Sequence, residues 1–270
     1  MRVIKAATVG VVLAMAQYAW ANPTYLIDDN LSNNGAGCGE VDLNDVTSSL
    51  ENSLNNISWS GERWVNGDAW PQDFMEECSS NFGPNGFDQY EADNANFSVF
   101  SGHGNTGLIA WGTPHDGVCA MTLAGGVRLG SMSGAMSATS VYASCCTLNA
   151  NSLTSQANFE WTRQQLGFHD TCEIGDTDVS DFFDNTYETS NKNAWFNHLE
   201  DRPGWFTGDN SPVVWSAGVN STEAGNVENT ASLRQQIYVT PRGSGPSCNQ
   251  GQPAFWYSAT YIDHGNGGCS

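Results

Sequence analysis

The chain has 270 residues, of which 39% are hydrophobic, 11% aromatic and 14% charged. This length and composition support a buried core and exclude intrinsic disorder. Nine basic residues against 29 acidic ones give a formal net charge of −20. That balance excludes a nucleic-acid-binding protein, which needs a basic surface, and it disfavours binding to anionic membranes. Without internal repeats or low-complexity linkers, one domain is expected.

The first 21 residues have the pattern of a secretory signal peptide. Arg2 and Lys5 precede an apolar run over 6–16, and Ala19-Trp20-Ala21 fits the small-x-small cleavage rule. The run is shorter than the roughly 20 residues that a transmembrane helix needs. We therefore expect cleavage after Ala21 and a domain over 22–270, secreted to the periplasm or the extracellular space and free of the membrane. Loss of Arg2 and Lys5 would change the net charge from −20 to −22.

Eight cysteines follow residue 21. In an oxidising compartment an even number favours disulfides, although their pairing cannot be read from the sequence. A Cys248–Cys269 bond is the simplest guess, because it would tie down the Gly-rich C-terminal tail. Cys145 and Cys146 are adjacent, and a bond between them would close a strained ring. At least one of the two is therefore expected to bond elsewhere or to stay free.

Hydrophobic periodicity predicts alternating strands and helices. Val46, Leu50, Leu54 and Ile57 mark one face of a helix over 42–57, with Asp42 as a plausible N-cap. Further helices are expected over 71–77, 151–166 and 191–200, and strands over 24–28, 97–100, 141–143 and 212–216. This order predicts an α/β fold with a mainly parallel central sheet flanked by helices and with disulfide-rich loops.

Two of the predicted strands end in chemically reactive residues. Phe97-Ser98-Val99-Phe100 leads to His103-Gly104, and Val141-Tyr142-Ala143 leads to Ser144-Cys145. An imidazole lowers the pKa of a neighbouring thiol and can protonate a leaving group. Glycine beside the imidazole lets the backbone come close, and backbone N–H groups can stabilise an oxyanion. If the strands are neighbours, these residues supply the parts of a thiol hydrolase.

The two blocks resemble the signature of the caspase-like (clan CD) cysteine peptidases, and His103 to Leu108 is similar to the histidine block of legumain- and gingipain-type members. The resemblance implies a caspase-like sandwich and hydrolysis of a protein or peptide substrate through an acyl-enzyme, without a cofactor. It implies Cys145 as the nucleophile, His103 as the general base and acid, and the N–H groups of Gly104 and Cys145 as the oxyanion hole. Cys146 is a competing nucleophile. The candidate cleft residues are Asn105, Ser144, Cys146 and His169.

The sequence also allows two non-catalytic interpretations. Cys145 could be one half of a disulfide in a non-catalytic binding or scaffold protein on the same fold. A carbohydrate-binding protein could use Trp59, Trp64, Trp70 and Trp111, although spacing of this kind is more typical of core packing.

Two segments carry metal-ligand residue types. Asp176, Asp178 and Asp181, followed by Asp184, could bind Ca²⁺, but an acidic helix start explains them better. His115, Asp116 and Cys119 could be metal ligands, although a loop with a disulfide cysteine is the favoured interpretation. The oligomeric state stays open.

Overall fold

The computed structural model describes residues 23–31, 38, 44–76, 86, 88, 90–124, 126–127, 129, 138–150, 159, 162–200, 209–235, 256–265 and 269. The expected signal peptide, Asp42, Cys78, Cys248 and residues 151–158 of the expected helix lie outside this part. The described chain is mixed α/β, with a mostly parallel sheet of seven strands and four α-helices.

Strands are numbered in chain order. The large sheet consists of β1 (Thr24–Asp29), β2 (Ser60–Val65), β3 (Phe97–Ser101), β7 (Thr139–Ala143), β8 (Gln164–Phe168), β9 (Pro212–Gly218) and β10 (Trp256–Tyr261). Its order is β10-β9-β8-β7-β3-β1-β2. The five strands from β2 to β8 are parallel, and β9 and β10 are antiparallel to their neighbours. A small antiparallel sheet consists of β4 (His103–Asn105), β5 (Leu108–His115) and β6 (Val118–Thr122).

The inner strands of the large sheet are buried on both faces, whereas the edge strands β2 and β10 are partly exposed. Because successive side chains of a strand point to opposite faces, Ile27 and Val99 enter one core while Leu26 and Phe100 enter the other. The first core is covered by α1 (Ser48–Asn56), α2 (Asp178–Asn185) and α3 (Asn191–Leu199), and the second by the small sheet. The fourth helix, α4 (Ser221–Thr230), packs on β9 and β10.

The predicted strands over 24–28, 97–100, 141–143 and 212–216 are confirmed as β1, β3, β7 and β9, and the helix over 191–200 as α3. Of the predicted helix over 71–77, only a short 3₁₀ turn forms, at Pro71–Asp73.

The helix predicted over 42–57 begins later than expected. It starts at Ser48, so Val46 precedes it, and Asp45 accepts the Ser48 N–H at 2.9 Å. The same Asp45 oxygen accepts a hydrogen bond from Arg63 Nη2 on β2 at 2.8 Å, and Arg63 Nη2 also donates to Asp29 Oδ2 at 2.5 Å. The expected N-cap, Asp42, lies outside the described residues.

The C-terminal part of the helix predicted over 151–166 is wrong. Gln164–Phe168 forms β8, which lies between β7 and β9 and is buried at every position. Leu166 and Gly167, taken as the end and the stop of a helix, are interior strand residues. Burial on both faces removes the alternation of polar and apolar residues by which a strand is recognised.

Each of the six cysteines in the described chain is disulfide-bonded. The pairs are Cys38–Cys119, Cys145–Cys172 and Cys146–Cys269. The guess of a Cys248–Cys269 bond is wrong, because Cys269 bonds to Cys146. Three disulfides fit an extracellular protein.

Among the helices of the described residues, none has the length and apolar character needed to cross a membrane.

Candidate functional site

The two reactive segments meet at one edge of the large sheet. β3 and β7 are hydrogen-bonded neighbours in parallel register, with Ser101 opposite Ala143. The Gly102 N–H donates to the Ala143 carbonyl at 3.4 Å just beyond that pair. Carboxyl ends of adjacent parallel strands are the usual position of functional loops in open α/β sheets.

Gly104 lies against the segment that follows β7. A Cβ atom at this position would be 2.2 Å from Thr147 Oγ1, 2.3 Å from Ser144 Oγ and 2.4 Å from the Cys145 carbonyl oxygen. No side chain fits at these distances, so the close approach requires glycine. Glycine at this position therefore allows the backbone to approach the Ser144–Cys145 segment, and its expected part in an oxyanion hole stays a prediction.

Cys145 is not a thiol in this structure. Its sulfur is bonded to Cys172, which follows β8. A disulfide sulfur has no ionisable proton, so it cannot act as a thiolate nucleophile. The predicted Cys145/His103 dyad is thus absent from the described form, and its chemistry would first require reduction of this bond.

His103 is exposed at the start of β4. The pKa of His103 is lowered, because partial burial by the surrounding protein disfavours the charged imidazolium. A neutral imidazole can accept a proton, which suits the expected role of a base.

A cavity of about 220 Å³ lies at the carboxyl edge of the sheet. It is lined by residues 44 and 46 before α1, 101–102 after β3, 143–145 after β7 and 172–174 after β8. The Cys145–Cys172 bond forms part of its wall, and His103 does not line it. Val46, Ala143 and Ile174 give the wall an apolar part, whereas the Glu173 residue is exposed at its rim.

Ser144 is the buried polar group of this cavity. The residue is only 1% exposed, and its Oγ has no hydrogen-bond partner among the described residues. A buried hydroxyl without a partner costs free energy. This oxygen lies against Gly104, where a Cβ atom would be 2.3 Å from it.

The other candidate cleft residues have structural roles. Asn105 pairs with Leu108 in the β4–β5 hairpin, and Cys146 is buried and bonded to Cys269. His169 is 3% exposed, and its Nδ1 accepts the Ala150 N–H at 2.9 Å. Of the four, the cavity wall includes only Ser144.

One group of three metal-ligand side chains comes together in the described chain, namely His169, Asp170 and Asp263. Because His169 Nδ1 accepts a backbone N–H, the neutral ring carries its proton on Nε2, which lies 3.9 Å from Asp263 Oδ2. A metal on that nitrogen would need the lone pair which the proton occupies. The arrangement fits an N–H facing a carboxylate better than it fits a metal.

The calcium candidates are not brought together by the described structure. Asp178 Oδ2 accepts the Gly175 N–H at 2.7 Å, and Asp181 Oδ2 accepts the Thr177 hydroxyl at 3.0 Å. Asp176 lies in the same loop, and Asp178 and Asp181 are in the first turn of α2. The interpretation as an acidic helix start is confirmed.

The remaining candidates pack in the fold. Cys119 is a disulfide cysteine, as the interpretation favoured above expects. His115 stacks on Trp70 with 3.9 Å between the ring centroids. Trp59 and Trp111 are buried in the two cores, which accords with packing and not with sugar binding.

A second group of titratable side chains lies under the small sheet. Asp28 is fully buried and accepts the Trp111 Nε1–H at 3.1 Å. Burial raises the pKa of Asp73 to about 7, and burial together with the Asp73 charge holds the pKa of Asp28 well above its usual value. With 5% exposure at most, this pair is out of reach of a substrate.

Cys172 and Glu173 are not among the site residues expected from the sequence. The available signal is a third apolar segment followed by reactive residues: Leu166-Gly167-Phe168 precedes His169-Asp170-Thr171-Cys172. The expectation of a helix that ends at Leu166, with Gly167 as its stop, hid the strand that carries this pattern.

No protein-family model matches the chain, and no curated protein is detectably similar to it.

Proposed function

We propose that the chain, in its disulfide form, is an extracellular binding protein that holds one side chain of a peptide partner in the cavity at the carboxyl ends of β3, β7 and β8. The observation that carries the proposal is a cavity at this edge whose wall contains a bonded Cys145 and an unpartnered buried Ser144 hydroxyl.

The size of the cavity limits its occupant. At about 220 Å³ it is smaller than the roughly 300–1,000 Å³ of pockets that enclose a whole small ligand. It suits a single long side chain, whose backbone would remain outside along the sheet edge.

Charge and wall chemistry favour a lysine or arginine side chain. Val46, Ala143 and Ile174 can pack against its aliphatic stem, and Glu173 at the rim can face its charged end. The Glu173 carboxylate forms no ion pair with any described residue, and the chain's net charge of −20 attracts cations.

Binding of matched peptides tests this proposal. We expect an arginine-containing peptide to bind the unreduced protein more tightly than the same peptide with citrulline, measured by fluorescence anisotropy. Glu173→Gln should weaken the arginine peptide two- to fivefold, about 0.5–1 kcal/mol for an exposed ion pair, and leave the citrulline peptide unchanged. Glu188→Gln, at an exposed glutamate outside the cavity, is the control. Equal affinity for both peptides would refute the proposed occupant.

A second candidate function is peptide-bond hydrolysis by a caspase-like cysteine peptidase with Cys145 as nucleophile and His103 as base and acid. The contact of Gly104 with the Ser144–Cys145 segment favours it. It requires a free Cys145 thiol, so cleavage of peptides by the reduced protein, abolished by Cys145→Ala, is its test.

A further inference from the structure

Adjacent cysteines belong to two disulfides, of which one lines the cavity. Cys145 and Cys172 are both half-buried and line the cavity, whereas Cys146 is only 4% exposed and its half-buried partner Cys269 lies outside the cavity. Cys146 has a left-handed backbone, φ 63°, which turns the chain sharply between the two sulfurs. A reductant that enters the cavity therefore meets the Cys145–Cys172 bond and not the Cys146–Cys269 bond.

The wall on each side of the Cys145–Cys172 bond is held by other contacts. On the Cys172 side, the Glu173 N–H donates to Asn210 Oδ1 and Asn210 Nδ2 donates to the Glu173 carbonyl, each at 2.8 Å. On the Cys145 side, Cys146 is bonded to Cys269, and the Cys146 N–H donates to the Asp170 carbonyl at 2.9 Å. The cavity therefore keeps its wall when the Cys145–Cys172 bond opens.

We propose that Cys145–Cys172 is a redox-active disulfide, and that its reduction by a dithiol places a nucleophilic Cys145 thiol in the wall of the cavity. The proposal rests on the proposed cavity site, but it concerns the sulfur chemistry and not the bound side chain.

The reaction is a two-step thiol–disulfide exchange. One thiolate of the dithiol attacks the Cys172 sulfur, the bond to Cys145 breaks, and Cys145 leaves as a thiolate. The second thiolate attacks the mixed disulfide and releases the Cys172 thiolate. The dithiol becomes a disulfide, two electrons pass to the protein, and the two protons lost by the dithiol are available to the released sulfurs.

The released thiol would lie where Cys145 lines the cavity. Gly104, and not the His103 imidazole, lies against the Cys145 backbone, and His103 does not line the cavity. The reactivity of the released thiol is therefore expected to follow from its access to the cavity and not from an ion pair with His103.

Stepwise reduction of the full secreted protein tests the first part. Unreduced protein is titrated with dithiothreitol, alkylated with iodoacetamide and mapped by peptide mass spectrometry. We expect Cys145 and Cys172 to be labelled at dithiothreitol concentrations about tenfold below those that label Cys146 and Cys269. Opening of both bonds together, or of Cys146–Cys269 first, would overturn the proposal.

Labelling of the selectively reduced, folded protein tests the second part. After reduction of the Cys145–Cys172 bond, iodoacetamide should label Cys145 while the protein stays folded, because this sulfur lines the cavity. A Cys145 thiol that is labelled only after urea unfolding would contradict the proposal.

A variant provides an independent route to the same thiol. Cys172→Ser should give a Cys145 that is alkylated without reductant, and if this variant does not fold, the wild-type titration alone decides. Peptide binding is measured on unreduced protein, so failure of the proposed binding function and failure of the redox proposal are separate results.

Discussion

Replacing Asp73 with asparagine should change how the stability of the protein depends on pH. Asp73 ends the 3₁₀ turn at Pro71–Asp73, and its Oδ2 accepts the Trp70 N–H at 2.9 Å. The amide side chain of Asp73→Asn would keep an oxygen acceptor at this position while removing the charge. The substitution therefore removes the cost of ionising Asp73, together with the repulsion between its charge and Asp28.

The magnitude follows from the raised pKa. Burial raises the pKa of Asp73 from 3.8 to about 7. Each pKa unit corresponds to about 1.4 kcal/mol, so ionisation costs the folded state on the order of 4 kcal/mol. Well below pH 3.8 both states are protonated and this cost is absent, and at pH 4 only a small part of it is present. As the pH rises to 7, the unfolded state releases its proton first, so the folded protein loses stability over this range.

Urea unfolding, followed by tryptophan fluorescence with the disulfides intact, measures the effect. At pH 8 the Asp73→Asn protein should have a free energy of unfolding higher than the wild type by on the order of 4 kcal/mol, and at pH 4 the two should converge. Asp68→Asn, at an exposed position nearby, should follow the wild type at every pH. Parallel curves for wild type and Asp73→Asn would refute the reasoning.

Three further substitutions test the site and its supports. Gly104→Ala should destabilise the fold by about 1–3 kcal/mol, because its Cβ would overlap Ser144 and Thr147. Gly67→Ala, where a Cβ meets open space, is the control and should be neutral. Equal melting temperatures of the two variants would contradict the contact between Gly104 and the segment after β7. Joint replacement of Cys145 and Cys172 by serine should lower the free energy of unfolding by roughly 3.5 kcal/mol, the entropy of a 27-residue loop, and urea unfolding checks it. Arg63→Leu should cost about 3–5 kcal/mol at pH 7 by leaving buried Asp29 unpaired, and less at pH 4, where Asp29 gains a proton; a loss independent of pH would exclude this cause.

The sequence predicts those parts of the fold that local pattern determines. The short apolar runs at 97–100 and 141–143 are typical of buried strands, and their order along the chain suggests a parallel sheet. These two strands also predict where the site lies, because His103-Gly104 follows the end of β3 and Ser144-Cys145 follows the end of β7.

The parts that failed depend on contacts distant in sequence. Gln164–Phe168 becomes a strand because β7 and β9 supply its hydrogen bonds, which no local pattern encodes. Cys145 and Cys172 can bond because β8 lies beside β7, so that the residues following these strands are close together. Asp45 before α1 is likewise bound by Arg63 of β2, which lies 18 residues further along the chain.

Disulfide mapping of the native, unreduced protein tests the central claim most directly. Proteolysis without reductant should yield a cluster of three linked peptides, because Cys145 and Cys146 share one peptide. Fragmentation of the backbone between residues 145 and 146 should then assign Cys145 to Cys172 and Cys146 to Cys269. A free Cys145 thiol, or a bond from Cys145 to any other cysteine, would contradict both the proposed cavity and its redox-active wall.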